Sequence, residues 1–303
     1  MSAIKVFPHW IRRAWPSGEA FQEVKHLLSG LDLHTVCQSA HCPNQSECWG
    51  RRTATLMVLG NVCSRHCTYC AVHSGKPEQL DADEPAKIAE AVVRLSLKHT
   101  VLTSVTRDDL PDGGAGHIAQ CIPAIKQASP ATTIEVLVQD FNGDPEAIGR
   151  VLAARPEVFS HNIETVRRLH PRMRDRRFTY EQSLLVLQTA RALAPDRIIK
   201  SAFMLGCGET EDEVRETLED LVAHGCDAVS LGQYLQPTPR HHEVAEFISP
   251  ERFKYFEEVA YALGFGFAVA GPFVRSSYRS EELLEAPFAK ARLAAGEEVQ
   301  HAD

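Results

Sequence analysis

Six of the nine cysteines lie between positions 37 and 70, in two triplets. Cys37, Cys42 and Cys48 are separated by four and five residues, and Cys63, Cys67 and Cys70 by three and two. Zinc sites usually draw four ligands from paired short knuckles. Neither triplet has a fourth Cys or His at that spacing; His41 and His66 only adjoin cysteines in sequence. Three thiolates suit an iron–sulfur cubane that leaves one iron without a cysteine ligand, and chemistry would occur at that open iron. Two structural metal knots are the plainer alternative. Cys121, Cys207 and Cys226 stand alone, and buried free cysteine of this kind is a common small core residue.

Such sites need elements to hold them, and the rest of the chain supplies a repeating pattern. Short runs rich in β-branched and apolar residues predict strands at Thr55–Leu59, Val101–Val105, Ile134–Val138, Val158–Asn162, Ile198–Leu205 and Ala228–Tyr234. Amphipathic stretches between them predict helices at Ala86–Leu97, Ala115–Ala128, Asp144–Ala153, Glu181–Leu193, Glu211–His224 and Pro250–Leu263. Six βα units in series imply a parallel sheet with right-handed crossovers, closed or nearly closed as a barrel. Residues 1–53 precede the pattern and carry the first triplet. Residues 265–303 follow it, with one apolar stretch broken by Gly271 and Pro272.

Polar segments collect after the strands: Cys63–Cys70, Arg107–Gly114, Asp140–Gly143, His161–Thr165, Gly206–Thr210 and Gln233–Thr238. All six fall at C-terminal strand ends, the catalytic face of an α/β barrel. Gly206-x-Gly208 lacks the third glycine of a dinucleotide fingerprint. The adjacent His241 and His242 would not face one metal. The net charge of −8 argues against bulk nucleic-acid or anionic-membrane binding. No run of 18 apolar residues and no secretory signal are visible, so a cytoplasmic protein is expected. An odd cysteine count fits a reducing compartment.

The second triplet, with Tyr69 before its last cysteine, resembles the signature of the radical S-adenosylmethionine (SAM) superfamily. The first triplet narrows the resemblance to the lipoyl synthase family within it. So do Leu33–Cys37, Cys42-Pro-Asn44, Glu47-Cys-Trp49, Asp108–Gly114, Asp140–Gly143, His161–Thr165, Tyr180–Leu184, Gly208–Thr210, Gln233–Pro237 and Arg275-Ser-Ser-Tyr278. The likeness runs from about residue 8 to 280. Departures are Asn61, Ser64, Tyr69, Cys207 and a more basic Arg168–Phe178, none at a cluster ligand. The resemblance implies a partial (βα)6-type TIM barrel over 54–264, with an N-terminal extension (1–53) and a C-terminal one (265–303).

It also implies a sulfurtransferase that inserts two sulfur atoms at carbons 6 and 8 of a protein-bound octanoyl group, forming the lipoyl cofactor. Cys63, Cys67 and Cys70 would hold a 4Fe–4S cluster whose fourth iron is chelated by SAM. Reductive cleavage of SAM would give a 5′-deoxyadenosyl radical that abstracts hydrogen. Cys37, Cys42 and Cys48 would hold an auxiliary 4Fe–4S cluster that donates sulfur, with Ser277 as its fourth and weaker ligand; a helix N-cap is the alternative for that serine. Asp112, Gly113 and Gly114 would meet the SAM amino group, or simply turn the chain into the next helix. Asn162 and Glu164 would hold the ribose, or only brace their loop, and Tyr69 would pack near the adenine.

Implied partners are octanoylated carrier domains of the 2-oxoacid dehydrogenase E2 or glycine cleavage H type, a flavodoxin- or ferredoxin-like reductant, and an iron–sulfur carrier. Arg167, Arg168, Arg172, Arg174, Arg176 and Arg177 form either a solvated face or a dock for an acidic partner. A different radical SAM enzyme with an auxiliary cluster is the competing reading.

Overall fold

The computed structural model describes residues 7–12 and 18–300. The rest of the two expected extensions (1–6, 13–17 and 301–303) lies outside them. Ten strands are described: β1 (His34–Thr35), β2 (Thr55–Val58), β3 (Val62–Cys63), β4 (His73–Ser74), β5 (His99–Ser104), β6 (Thr133–Leu137), β7 (Val158–Ser160), β8 (Ile198–Leu205), β9 (Ala228–Gln233) and β10 (Phe267–Gly271). Eight form one sheet in the order β1-β2-β5-β6-β7-β8-β9-β10. Every pairing in it is parallel except β1 with β2. The sheet is therefore an open, barrel-like α/β layer whose edges are β1 and β10.

Parallel strands require crossovers, and the helices supply them. These are α4 (Glu84–Leu95), α5 (Ala115–Ala128), α6 (Pro145–Ala153), α8 (Tyr180–Leu193), α9 (Glu211–Ala223) and α10 (Pro250–Leu263). Each buries the apolar stripe that its spacing marks; α4, for example, covers Ile88, Val92 and Leu95. Thr210 and Glu213 close a reciprocal capping box at the start of α9, satisfying two N–H groups that a helix end leaves open. Before the sheet lie α1 (Glu19–Gly30), α2 (Val36–Ser39) and α3 (Gln45–Gly50). The short α7 (His170–Met173) follows β7, and α11 (Glu281–Glu285) and α12 (Pro287–Gln300) end the described chain.

One difference from the sequence expectation matters for the site. The apolar stretch after Leu263 adds a seventh parallel strand, β10, registered on β9 from Phe267↔Ala228 to Gly271↔Gly232. The Arg275–Tyr278 segment thus leaves the C-terminal end of a sheet strand, on the same face as the other polar loops. Gly232 makes that possible. A Cβ there would collide with the carbonyl oxygen of Val274, so only glycine lets the returning chain cross β9 this closely.

Candidate functional site

All six clustered cysteines line one cavity of about 500 Å³ at the C-terminal ends of the strands. The same wall holds Tyr69, Asn162, Glu164, Arg174, Ser276 and Ser277. The remaining cysteines, Cys121, Cys207 and Cys226, are buried outside it.

The Cys63–Cys70 loop is tied down on several sides. The Ser64 amide donates to the Thr106 carbonyl at 3.0 Å, and that of Thr68 to Met173 at 2.7 Å. The thiol sulfurs of Cys63 and Cys67 accept the backbone N–H groups of Thr106 (3.4 Å) and Asp175 (3.3 Å). His241 donates from Nε2 to the Cys70 carbonyl (3.1 Å), and His242 from Nε2 to Cys207 (3.3 Å). These two imidazoles brace loops rather than meet at a common point.

A residue that motif spacing did not expose holds this loop from below. Arg65, between the first two cysteines, has a fully buried side chain. It bonds Asp108 (2.7 Å), Asp140 (3.0 Å) and Asn142 (2.5 Å), and its guanidinium lies 4.1 Å from the Phe178 ring centroid. The Asp108 and Asp140–Gly143 segments therefore anchor the cysteine loop. Arg65→Met leaves Asp140 buried without its cation, a loss of about 3–5 kcal/mol for a broken buried pair. We expect a markedly lower thermal midpoint and less iron retained at this triplet; an unchanged melt would show the pair to be dispensable.

The first triplet is built by α2, α3 and their turn. The Cys42 amide donates to the Cys37 carbonyl at 3.0 Å, and that of Cys48 to Asn44 at 2.9 Å. Phe21 and the fully buried Trp49 stack behind it with centroids 5.0 Å apart. The C-terminal loop closes over this unit. Asn44 Nδ2 donates to the Phe273 carbonyl (2.6 Å) and the Tyr278 hydroxyl to Glu47 (2.9 Å). Ser277 Oγ accepts from Thr55 Oγ1 at 2.8 Å. Thr55 also lies against the Cys37 thiol and favours its thiolate, so one threonine stands between Cys37 and Ser277. Ser277 caps no helix: α11 begins at Glu281 with Ser280 in the cap position.

Burial and neighbouring thiols favour the protonated form of the clustered cysteines. Burial, then the neighbouring Cys42, pushes the Cys37 thiol up to about 11. Burial, then Cys37 and Cys42, raises Cys48 to about 12. Burial raises Cys70 to about 12 and also raises Cys67, which Arg174 partly offsets. The thiols of each triplet thus feel one another, and binding iron must displace their protons. The buried indole N–H of Trp49 has no hydrogen-bond partner among the described residues, yet it lies against Cys37 and favours its thiolate. Among the described residues no three His, Cys, Asp or Glu side chains converge on a single ion. A cubane needs the opposite, one thiolate on each of three irons. The donor set fits two 4Fe–4S clusters facing one cavity.

Beside the second triplet, Asn162 Nδ2 donates to Glu164 Oε1 at 3.1 Å, and Arg174 donates to the Asn162 carbonyl at 3.0 Å. Burial raises the Glu164 carboxyl, with Arg174 partly opposing it. Glu164 has a left-handed backbone (φ 69°), held by amide bonds to Ala202 and from Met204. Arg174 lies 3.7 Å over the Phe178 ring, and its buried Nε has no partner among the described residues. It is a cation at the cavity wall that sequence reading grouped with surface arginines.

Asp112, Gly113 and Gly114 are not in the cavity wall. Asp112 accepts the amides of Gly114 (2.9 Å) and Gly116 (2.8 Å), capping the start of α5. The glycines have local causes: both φ are positive, and a Cβ would sit 2.5 Å from Gln139 Nε2 or from Leu59 Cδ1. In the basic segment, Arg167 pairs with Asp220 and Glu181, Arg168 with Glu213, and Arg177 with Asp175 and Asp108. With Arg174 facing inward, Arg172 and Arg176 remain as exposed cations.

A parallel, open α/β sheet with a three-thiol loop after β2 defines a radical SAM enzyme, and the radical SAM superfamily profile matches residues 57–221. Solved neighbours share this fold. An FeFe-hydrogenase maturase from Carboxydothermus hydrogenoformans aligns with a TM-score of 0.54 at 14% identity, covering 87% of this chain and 77% of its own. Methylornithine synthase aligns with 0.53 at 10%, covering 86% and 87%. The N-terminal domain of lipoyl synthase matches residues 2–42. Lipoyl synthase of Thermus thermophilus is 52% identical over 91% of this chain and 86% of its own length. That of Caldicellulosiruptor saccharolyticus is 50% identical over 91% and 96%.

The chain belongs to the lipoyl synthase family. It is a sulfur-inserting radical SAM enzyme that uses SAM and 4Fe–4S clusters and acts on octanoylated carrier proteins.

Proposed function

We propose a division of labour within the one cavity. Cys63, Cys67 and Cys70 hold the SAM-binding cluster; Cys37, Cys42, Cys48 and Ser277 hold the sulfur-donating one. The observation that carries this reading is that both triplets and Ser277 line a single wall. When bound, the two clusters and SAM supply hydrogen abstraction from an unactivated carbon and the sulfide that replaces the hydrogen.

The chain's own residues then position and shield. Asn162 and Glu164, in the cavity wall with the second triplet, would hold the ribose hydroxyls, and Tyr69 would pack near the adenine. Arg174 favours the thiolate of Cys67. Asp112, Gly113 and Gly114 serve the SAM amino group only through a shift of their turn, because its polar atoms are engaged locally. Ser277 offers iron a harder, weaker ligand than thiolate, which suits a cluster that must give up sulfide.

The octanoyl chain enters from the carrier domain, of E2 or glycine cleavage H type, with an electron from a flavodoxin- or ferredoxin-like donor and cluster renewal by an iron–sulfur carrier. The free thiols fit a reducing cytoplasm. No helix among the described residues is long and apolar enough to cross a membrane.

Anaerobic reconstitution should give about eight iron and eight sulfide per chain, in two spectroscopically distinct species. Incubation with SAM, reductant and an octanoylated carrier domain should add two sulfur atoms to that domain by mass. A single cluster species, or zinc in place of iron, would overturn the division.

A further inference from the structure

Among the largest fully buried side chains is a lysine. Lys200, on β8, lies in the sheet interior against Glu135 on β6, and both side chains are almost wholly shielded from solvent. Its Nζ donates to both carboxylate oxygens of Glu135, at 2.9 and 3.0 Å. Ser160 Oγ on β7 adds a bond to Glu135 at 2.7 Å. His99, 4.0 Å from Glu135, is kept neutral by burial. The third Lys200 donor leaves the sheet and reaches the backbone carbonyl of Ser276 at 2.6 Å, 76 residues away in sequence.

A buried ion pair is weak evidence for stability, since a well-packed apolar pair often does as well. The ammonium has three donors and all three are spent, so Lys200 has none left for SAM or substrate. What distinguishes it from a fold brace is its third acceptor. The Ser276 carbonyl belongs to the peptide plane that joins Ser276 to Ser277, so fixing it fixes the direction in which Ser277 leaves the backbone. The Ser276 hydroxyl donates to Asn162 Oδ1 at 3.1 Å, and Thr55 holds the Ser277 hydroxyl. The Ser276–Ser277 pair is therefore held by these three bonds, and Lys200 is the charged donor among them. A charged donor makes the strongest of such bonds.

We propose that Lys200, anchored by Glu135, is a positioning residue that latches the Ser276–Ser277 peptide and so aims Ser277 Oγ at the first triplet. The inference rests on the reading of Ser277 as a ligand.

Lys200→Met alone leaves Glu135 buried and unpaired and risks unfolding. Glu135→Gln/Lys200→Met keeps the interior neutral and preserves the acceptor for Ser160. In the cluster-free full chain, hydrogen exchange should rise about tenfold or more at the Tyr278 amide, which closes the turn onto Arg275. Amides of β6 and β8 should keep their protection.

In a Cys63→Ala/Cys67→Ala/Cys70→Ala background, only the auxiliary cluster is assembled. There the double variant should change its iron spectrum in the same sense as Ser277→Ala does. Unchanged exchange at Tyr278 overturns the latch and leaves Ser277 standing as a ligand. Faster exchange with a spectrum that neither the double variant nor Ser277→Ala alters overturns the ligand reading, and with it the latch's role.

Discussion

Cys67→Ala is expected to abolish 5′-deoxyadenosine formation, while Cys42→Ala keeps it and loses the lipoyl product. Both residues line the same cavity, yet they belong to triplets built by different elements. Cys67 sits in the loop after β3, with its sulfur accepting the Asp175 amide and Arg174 favouring its charge. On the proposed assignment, removing it leaves two thiolates, too few to keep a cluster that must also chelate SAM. Cys42 sits in the turn between α2 and α3, latched to the C-terminal loop through Asn44. Its loss dismantles the auxiliary site without touching the β3 loop, so reductive SAM cleavage remains measurable. Anaerobic assays that count 5′-deoxyadenosine and lipoyl product separately decide the matter. If both variants lose the same activities, the triplets do not divide the work.

The sequence carried the sheet because parallel strands are short apolar runs and their crossover helices have clear stripes. Ile198–Leu205, Ala115–Ala128 and Pro250–Leu263 come out with the expected ends. The strand β10 was read only as an apolar stretch, because Gly271 and Pro272 interrupt it and its pairing with β9 is a tertiary fact. The cysteine spacing marked the two triplets that the structure brings to one cavity wall. What spacing could not carry is support from afar. Arg65 has partners 43, 75 and 77 residues away, and nothing local marks it as different from a surface arginine. Lys200 likewise looks like a polar interruption in a strand until Glu135 and Ser276 are brought to it. Asp112-Gly113-Gly114 shows the converse. The pattern invites a ligand role, but its glycines already have a steric cause in Leu59 and Gln139.

Ser277→Ala should leave 5′-deoxyadenosine formation in place and sharply lower lipoyl product per 5′-deoxyadenosine. The serine lies at the cavity wall with its hydroxyl bonded to Thr55, the residue that also touches Cys37. It caps no helix, so the ordinary reason for a serine before a helix does not apply to it. As a turn residue alone, its replacement would cost the net value of one hydrogen bond, about 0.5–1.5 kcal/mol, and turnover would be nearly intact. As the fourth ligand of the auxiliary cluster, it is the only oxygen donor among three thiolates, and its loss should alter the iron spectrum of that cluster alone. Ser277→Cys separates presence from lability. A thiolate binds iron more tightly than an alkoxide, so the cluster should assemble fully and surrender sulfide slowly. The decisive quantity is the ratio of the two products in wild type, Ser277→Ala and Ser277→Cys. If the ratio is the same in all three, Ser277 is not a ligand, and Ser276, whose hydroxyl faces Asn162, becomes the residue to replace.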